Sequence, residues 1–345
     1  MNPTRLSRGW LALGVLAVAC AGVANLAVGA ANLPPGRVAL ELLDHLPFIA
    51  VDSGLTELQQ NVVWDIRAPR TVLALLVGGM LAVSGATYQG AFRNPLADPY
   101  LLGIGAGAGL GATLTIVGNL GDGEGWFDPV AIGAFLGAGL AVLLTFSLAR
   151  TADRLRSPVS LILAGVAIAA FFTALQTYVQ QQNVDTIREV YSWILGSLRT
   201  SGWSEVVVIL PYAISTGAVL FFGRRLLDVL AVGDDEATTL GLDPRRIRLI
   251  LVTVASIAAA AAVAVSGLIG FVGIIVPHGI RLLVGPSYRR VIPLSMLFGA
   301  AFLALTDLLA RTVTEPAELP IGVVTAIVGA PFFLVVLRTS RRQLV

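Results

Sequence analysis

Apolar runs about 20 residues long recur along this chain, and they limit its fold more than any other feature. A bilayer core about 30 Å thick needs about 20 helical residues per crossing. Ten such runs can be marked, at about 9–30, 70–91, 99–118, 129–149, 159–180, 204–223, 249–268, 271–284, 292–310 and 321–338. The eighth is short for an independent span. Runs of this length and aliphatic bias argue for helices, because a membrane barrel shows short alternating strands instead. Only 13% of the 345 residues are charged, against about 25% in a soluble domain. The expectation is an all-α polytopic membrane protein, one domain over 1–345, in the lipid bilayer and with no nucleic-acid partner.

Charge placement gives an orientation. All 23 basic residues are arginine. With the N-terminus inside, 17 fall on one side: Arg5, Arg8, Arg93, Arg150, Arg154, Arg156, Arg224, Arg225, Arg245, Arg246, Arg248, Arg281, Arg289, Arg290, Arg338, Arg341 and Arg342. The other 6 are Arg37, Arg67, Arg70, Arg188, Arg199 and Arg311. The positive-inside rule makes the richer side cytoplasmic. That bias needs an even number of spans, so both termini are expected inside. The absence of lysine also means the chain cannot supply the lysine of a Walker A phosphate loop. If ATP drives this protein, another subunit binds it.

Other chemistry is sparse. Cys20 is the single cysteine, which excludes an intrachain disulfide and a cysteine metal site. His278 has no second ligand near it in sequence and reads as a packed histidine. Asp307 lies one turn before Arg311 and reads as its ion-pair partner. No catalytic residue, metal ligand or cofactor is expected. Gly103, Gly107 and Gly111 repeat at four-residue spacing, as do Gly105 and Gly109, giving small faces for close helix packing.

Three stretches stand out. "DIRAPRTVLALLVGGMLAVSGATYQGAFRNPLADPYLLGIGAGAGLGA" runs from Asp65 to Ala112, "GLIGFVGIIVPHGIRLLVG" from Gly267 to Gly285, and "ARTVTEPAELPIGVVTAIVGAPFFLVVL" from Ala310 to Leu337. Within the first, Pro95 and Pro99 fix a turn between two spans, and Asp98 is placed to cap the span that follows. In this order the three stretches resemble the membrane permease of ATP-binding-cassette (ABC) importers for ferric siderophores, haem and cobalamin, the FecCD-like or type II importers. The resemblance covers most of the chain from Asp65 to Leu337.

The resemblance implies ten helices per subunit and a homodimer around a central path. It also implies two cytoplasmic ATPase subunits and an extracytoplasmic binding protein. Asn94, Pro95 and Leu96 then belong to a cytoplasmic gate. Pro158 and Val159 occupy the second gate, where relatives often carry small polar residues. The segment 224–248 is the ATPase coupling region. Its turn carries Gly233, Asp234, Asp235, Glu236, Ala237, Leu240 and Gly241, with Asp234 or Asp235 capping a short helix that Gly241 ends. Arg67, Arg70 and Arg311 are placed to dock the binding protein's carboxylates, a task suited to the guanidinium fork. Gln176, Tyr178 and Gln180 are placed along the path. The expected protein does no covalent chemistry and lies in a bacterial inner membrane. The favoured cargo is a ferric siderophore, with haem and cobalamin as alternatives. An ion-coupled secondary transporter would need ionisable groups at mid-membrane, and the span centres lack them. A membrane-embedded hydrolase or transferase would need clustered nucleophile, base or metal ligands, and the chain does not supply them.

Overall fold

The computed structural model describes residues 7–29, 33–45, 51–120, 128–151, 158–198, 200, 202–315 and 317–340. The first helix, α1 (Arg8–Ala27), starts where Ser7 accepts the Gly9 N–H. Two short helices follow, α2 (Pro35–Asp44) and α3 (Glu57–Asn61). A π-helical turn, Val62–Arg67, then joins α3 to α4 (Ala68–Phe92). The continuous rod Glu57–Phe92 is 36 residues long, well beyond the expected second run, because the π turn carries Asp65 and Arg67 through without a break.

The rest of the chain continues as α5 (Ile104–Val117), α6 (Pro129–Thr151), α7 (Pro158–Gln182), α8 (Ile187–Ile194) and α9 (Ser204–Val232). After these come α10 (Asp234–Thr239), α11 (Pro244–Ser266), α12 (Val272–Val284), α13 (Tyr288–Thr312) and α14 (Ile321–Ser340). Each of the ten apolar runs centres on one α-helix, the third opening with a 3₁₀ turn before it. Among the described residues seven helices are long and apolar enough to cross a membrane, and three shorter ones are apolar along their length. α9 outruns its expected end because Leu227 and Leu230 keep an apolar face buried beyond Arg224 and Arg225.

α4 is the centre of the packing. It lies against α13, α11, α9 and α12, and nearly all of its residues from Val77 to Phe92 are buried. Such closeness needs small residues. A Cβ on Gly78 would meet the Gly299 carbonyl of α13, and one on Gly85 would overlap the backbone of Gly273 in α12. The α5 glycines work in the same way. Gly107 and Gly111 press on Gly137 and Gly133 of α6, while Gly109 receives the Gln176 amide of α7. Both glycine faces are therefore packing faces.

α5 has 14 residues, about 21 Å at 1.5 Å per residue, which is shorter than the bilayer core. The stretch Ala97–Gly103 makes up the difference. It runs inside the bundle as a turn and a 3₁₀ helix, Pro99–Leu102. Its buried polar groups find protein partners: Thr145 Oγ1 donates to the Leu102 carbonyl at 3.1 Å, and Tyr100 Oη donates to the Ile269 carbonyl at 3.0 Å. The Ile269 N–H returns a bond to Tyr100 Oη at 3.2 Å. α12 is short for the same reason. The stretch Gly267–Phe271 before it also lies inside the bundle.

A second, smaller core lies beside the start of α4. Leu33, Val38, Leu55 and Val63 are buried there with Leu26 and Ala68. Its polar centre is Glu41 of α2, almost wholly buried. Ser53 Oγ donates to Glu41 at 2.5 Å, Trp64 Nε1 at 3.0 Å and Gln60 Nε2 at 3.2 Å. Burial alone would raise this carboxyl's pKa, but the three donors and the His45 charge outweigh it and hold the pKa below its ordinary value. Between the first and second apolar runs the sequence carried expectations only for Arg37 and for the stretch from Asp65, so this packed unit is new.

Two predictions follow from the packing. Gly85→Ala forces a methyl into the Gly273 backbone and should destabilise the protein by about 1–3 kcal/mol. Gly139→Ala has open space around it and should not. Thermal melting of the two purified variants makes the comparison. For Glu41, a lowered folded pKa means stabilisation that is present at neutral pH and lost as pH falls through that value. Deuterium uptake across 33–45 and 51–64 should rise as the pH falls below the ordinary carboxyl range, and Glu41→Gln should show the same rise at neutral pH.

Candidate functional site

The "RNPLADP" turn is held by its own side chains. α4 ends at Arg93, whose φ of 52° is left-handed. Asn94 Oδ1 accepts the Leu96 N–H at 3.0 Å, and the Asn94 carbonyl accepts the Ala97 N–H at 3.1 Å. Asp98 Oδ1 accepts the Tyr100 N–H at 2.8 Å. It therefore caps the 3₁₀ helix rather than α5, whose N-cap is Gly103 at φ 80°. Pro95 is exposed, and Asn94 and Leu96 are half-buried. The turn thus leads the chain from the end of α4 down into the bundle. Of the second expected gate, Pro158 opens α7, though its side chain and residues 152–157 lie outside the described residues, and Val159 is exposed on the first turn.

The coupling segment reaches this turn directly. Asp234 Oδ1 accepts from Arg93 Nη2 at 3.1 Å and from Arg248 Nη2 at 2.7 Å. Arg248 also donates Nε to the Ala91 carbonyl at 2.8 Å. One carboxylate on α10 therefore ties together the end of α4, the first residue of the turn and the start of α11. This corrects the expected capping: no side chain caps α10, and Gly233 is its N-cap. Asp234 is instead drawn to two guanidiniums, because charge-assisted bonds are stronger than a bond to a neutral N–H. Glu236 folds its carboxylate back over Gly233. Gly241, at φ 76°, ends the turn as expected. Ala237 is fully buried, whereas Leu240 is 68% exposed and Asp235 and Glu236 face outward. Leu240 is thus the exposed apolar residue of this turn, and Ala237 packs inward.

The other cluster lies at the opposite end of α4. Asp307 of α13 is fully buried and accepts from Arg70 Nε and Nη2 at 2.9–3.1 Å. Arg311 Nε approaches the same carboxylate at 3.4 Å, so the expected Asp307–Arg311 pair is present. Arg70 also holds Glu318 at 2.9 Å. Arg67 Nη1 donates to the Leu26 and Ala27 carbonyls at 2.7 and 3.0 Å, filling unpaired acceptors at the end of α1. Arg311 Nη2 donates to Asn25 Oδ1 at 2.7 Å, while Asn25 Nδ2 donates to the Ala304 carbonyl at 2.6 Å. All three expected docking arginines are thus committed within the chain, clasping α1, α4 and α13.

The expected path residues divide. Gln176 is buried on α5 at Gly109. Tyr178, about 200° around the helix from it, is 62% exposed, and Gln180 is half-buried. His278 packs edge-on to Phe332 at 6.0 Å between ring centroids, and no metal-binding cluster occurs among the described residues.

Sequence reasoning missed two features. Asn25, a lone amide near the end of an apolar run, is the hub of the Arg311 network. The other is a backbone junction. The Ser197 N–H donates to the Ser266 carbonyl, the Ile321 N–H to Gly196, and the Gly322 N–H to Leu195, at 2.9–3.2 Å. Three chain segments touch there by backbone alone. Side chains on Gly267 or Gly322 would collide with the Trp193 and Leu195 carbonyls, which explains these two glycines of the second and third sequence stretches.

Comparison with known proteins accounts for this arrangement. The model of the FecCD transport family matches residues 16–339. The cobalamin import system permease BtuC of Halobacterium salinarum is 40% identical over 83% of this chain and 75% of its own length. The hemin transport system permease HmuU of Yersinia pestis is 37% identical over 81% of this chain and 84% of its own. A solved structure, described as an inward-facing conformation of a metal-chelate type ABC transporter, superposes with a TM-score of 0.81 at 30% identity, covering 95% of this chain and 98% of that one. With ten apolar helices, broken backbone inside the bundle and a family match along nearly its whole length, this chain belongs to the FecCD transport family of membrane permeases.

Proposed function

We propose that this permease carries a metal chelate into the cytoplasm as one half of a homodimer. Two ATPase subunits drive it from the arginine-rich Asp234 end, and a binding protein delivers cargo at the Asp307 end. Relatives are named for iron citrate, hydroxamate, hemin and cobalamin import; a ferric chelate is named in two of these four, and a ferric siderophore is the cargo favoured. The arginine bias supports the orientation, with both termini cytoplasmic in a bacterial inner membrane. Among the described residues the buried Glu41, Arg248 and Asp307 lie within two turns of helix ends, and buried Arg67 lies at the π-helical turn before α4, which favours partner-driven over ion-coupled transport.

The observation that carries this reading is Asp234. A coupling helix displaced by an ATPase would pull on Arg93 and Arg248 together, moving both the gate turn and the end of α4. Asp234→Asn weakens both charge-assisted bonds: the exposed one to Arg93, worth about 1 kcal/mol or less, and the one to buried Arg248, typically about 1.5–3 kcal/mol. In the assembled transporter, ATP hydrolysis should continue while uptake falls by about tenfold or more, since 1.4 kcal/mol is a factor of ten. Arg93→Gln should do less, because Arg248 still holds α10. Uptake that survives Asp234→Asn, or that needs no co-expressed ATPase in the wild type, would refute the proposed coupling.

Docking at the other end is proposed through Arg70. Its fork is shared between buried Asp307 and half-exposed Glu318, and an incoming carboxylate can replace only Glu318. Reversing Arg70 would leave Asp307 buried beside a like charge at a cost of about 3 kcal/mol, so that variant tests folding as much as docking. Glu318→Gln is the cleaner probe. It releases one side of the fork and should tighten binding-protein affinity severalfold. An unchanged affinity would mark the cluster as a clasp only.

A further inference from the structure

Beside the first turn of α11 lies a cleft of about 760 Å³. Leu143, Phe146 and Leu161 from α6 and α7 form one wall, and Leu249, Val252 and Thr253 of α11 form the other. Arg245, Arg246 and Arg248 stand at its mouth with Asp243. Two of these cations are neutralised: Arg248 by Asp234 at 2.7 Å, and Arg246 by Asp243 at 3.1 Å. The exposed Arg245 guanidinium has no protein partner among the described residues. Arg245, Leu249 and Thr253 follow at four-residue spacing along one helix face. The cleft therefore changes from cationic to apolar over about 12 Å along the α11 axis, and α11 is itself a membrane span.

We infer that this cleft is a binding site for an anionic phospholipid, with the headgroup phosphate on Arg245 and on Arg246, whose exposed bond to Asp243 it shares, and an acyl chain against Leu143, Leu249 and Thr253. A cationic rim over an apolar slot at the bilayer surface matches an acidic lipid in both charge and polarity. A free phosphate would leave the apolar length unfilled, and a zwitterionic lipid brings a cation against Arg245. The site depends only on the chain spanning a membrane, not on its cargo or on the coupling through Asp234.

The test is native mass spectrometry of the full-length permease with mixed phosphatidylglycerol and phosphatidylcholine. The wild type should retain phosphatidylglycerol selectively. The R245Q/R246Q double variant should weaken that retention by about tenfold or more. Ser147→Trp, which fills the cleft from an exposed position on α6, should do the same. Arg225→Gln, an exposed arginine on α9, should retain the lipid, and inorganic phosphate should not displace it. Wild-type retention in either site variant overturns the proposal, as does displacement by phosphate. So does loss of the ATPase subunits in R245Q/R246Q with lipid retention intact, since the cleft would then serve a protein.

Discussion

Backbone polar groups inside a bilayer have no water to turn to, and that constraint shapes the middle of this molecule. Two stretches, Ala97–Gly103 and Gly267–Phe271, enter the bundle without α-helical hydrogen bonding. They are tolerated because they meet partners there. The Tyr100 hydroxyl both donates to and accepts from Ile269. The Ser266 carbonyl goes to Ser197 and the Leu195 and Gly196 carbonyls to α14. Short α5 and short α12 follow from these entries, and so does the need for glycine where three backbones touch. A bundle of ten uninterrupted helices would need none of these contacts.

The same bookkeeping applies to charge. Arginine bridges a carbonyl and a carboxylate at once because its donors are spread over a planar fork. Arg248 does this between Ala91 and Asp234, and Arg311 does it between Asn25 and Asp307. A lysine ammonium could satisfy either partner as a point charge but would not hold two helices at a fixed angle. In a chain without lysine, arginine serves both as a topology signal and as the joint between helix ends.

Much of this was legible in the sequence and some was not, for reasons that particular residues make plain. The ten apolar helices were readable because a long apolar run has few other fates. The Asp307–Arg311 pair was readable from one-turn spacing. Asp234 was misread as a cap because its two guanidinium partners lie 141 and 14 residues away, and no local pattern carries that pairing. Ala237 was taken as a contact residue although its methyl packs inward, since a six-residue helix is too short for periodicity to show its buried face. Glu41 was missed because its donors come from Ser53, Gln60 and Trp64, scattered through a segment without apolar rhythm.

The two charged joints differ in a way that bears on where motion can occur. Asp307 is fully enclosed, contacts two arginines and sits beside an amide that fixes a third helix. Opening it would expose a buried charge without compensation, which typically costs about 3–5 kcal/mol. Asp234 is a third exposed, as is Arg93, so water can take over the Arg93 bond when it breaks, and an exposed pair is worth about 1 kcal/mol or less, while buried Arg248 keeps its hold on the carboxylate. The Asp307 end is therefore built to hold α1, α4 and α13 as one body, while the Asp234 end can exchange partners at small cost. In an importer driven from the Asp234 end, displacement of α10 would be absorbed first by Arg93 and the turn behind it, with the far ends of the same helices held in place.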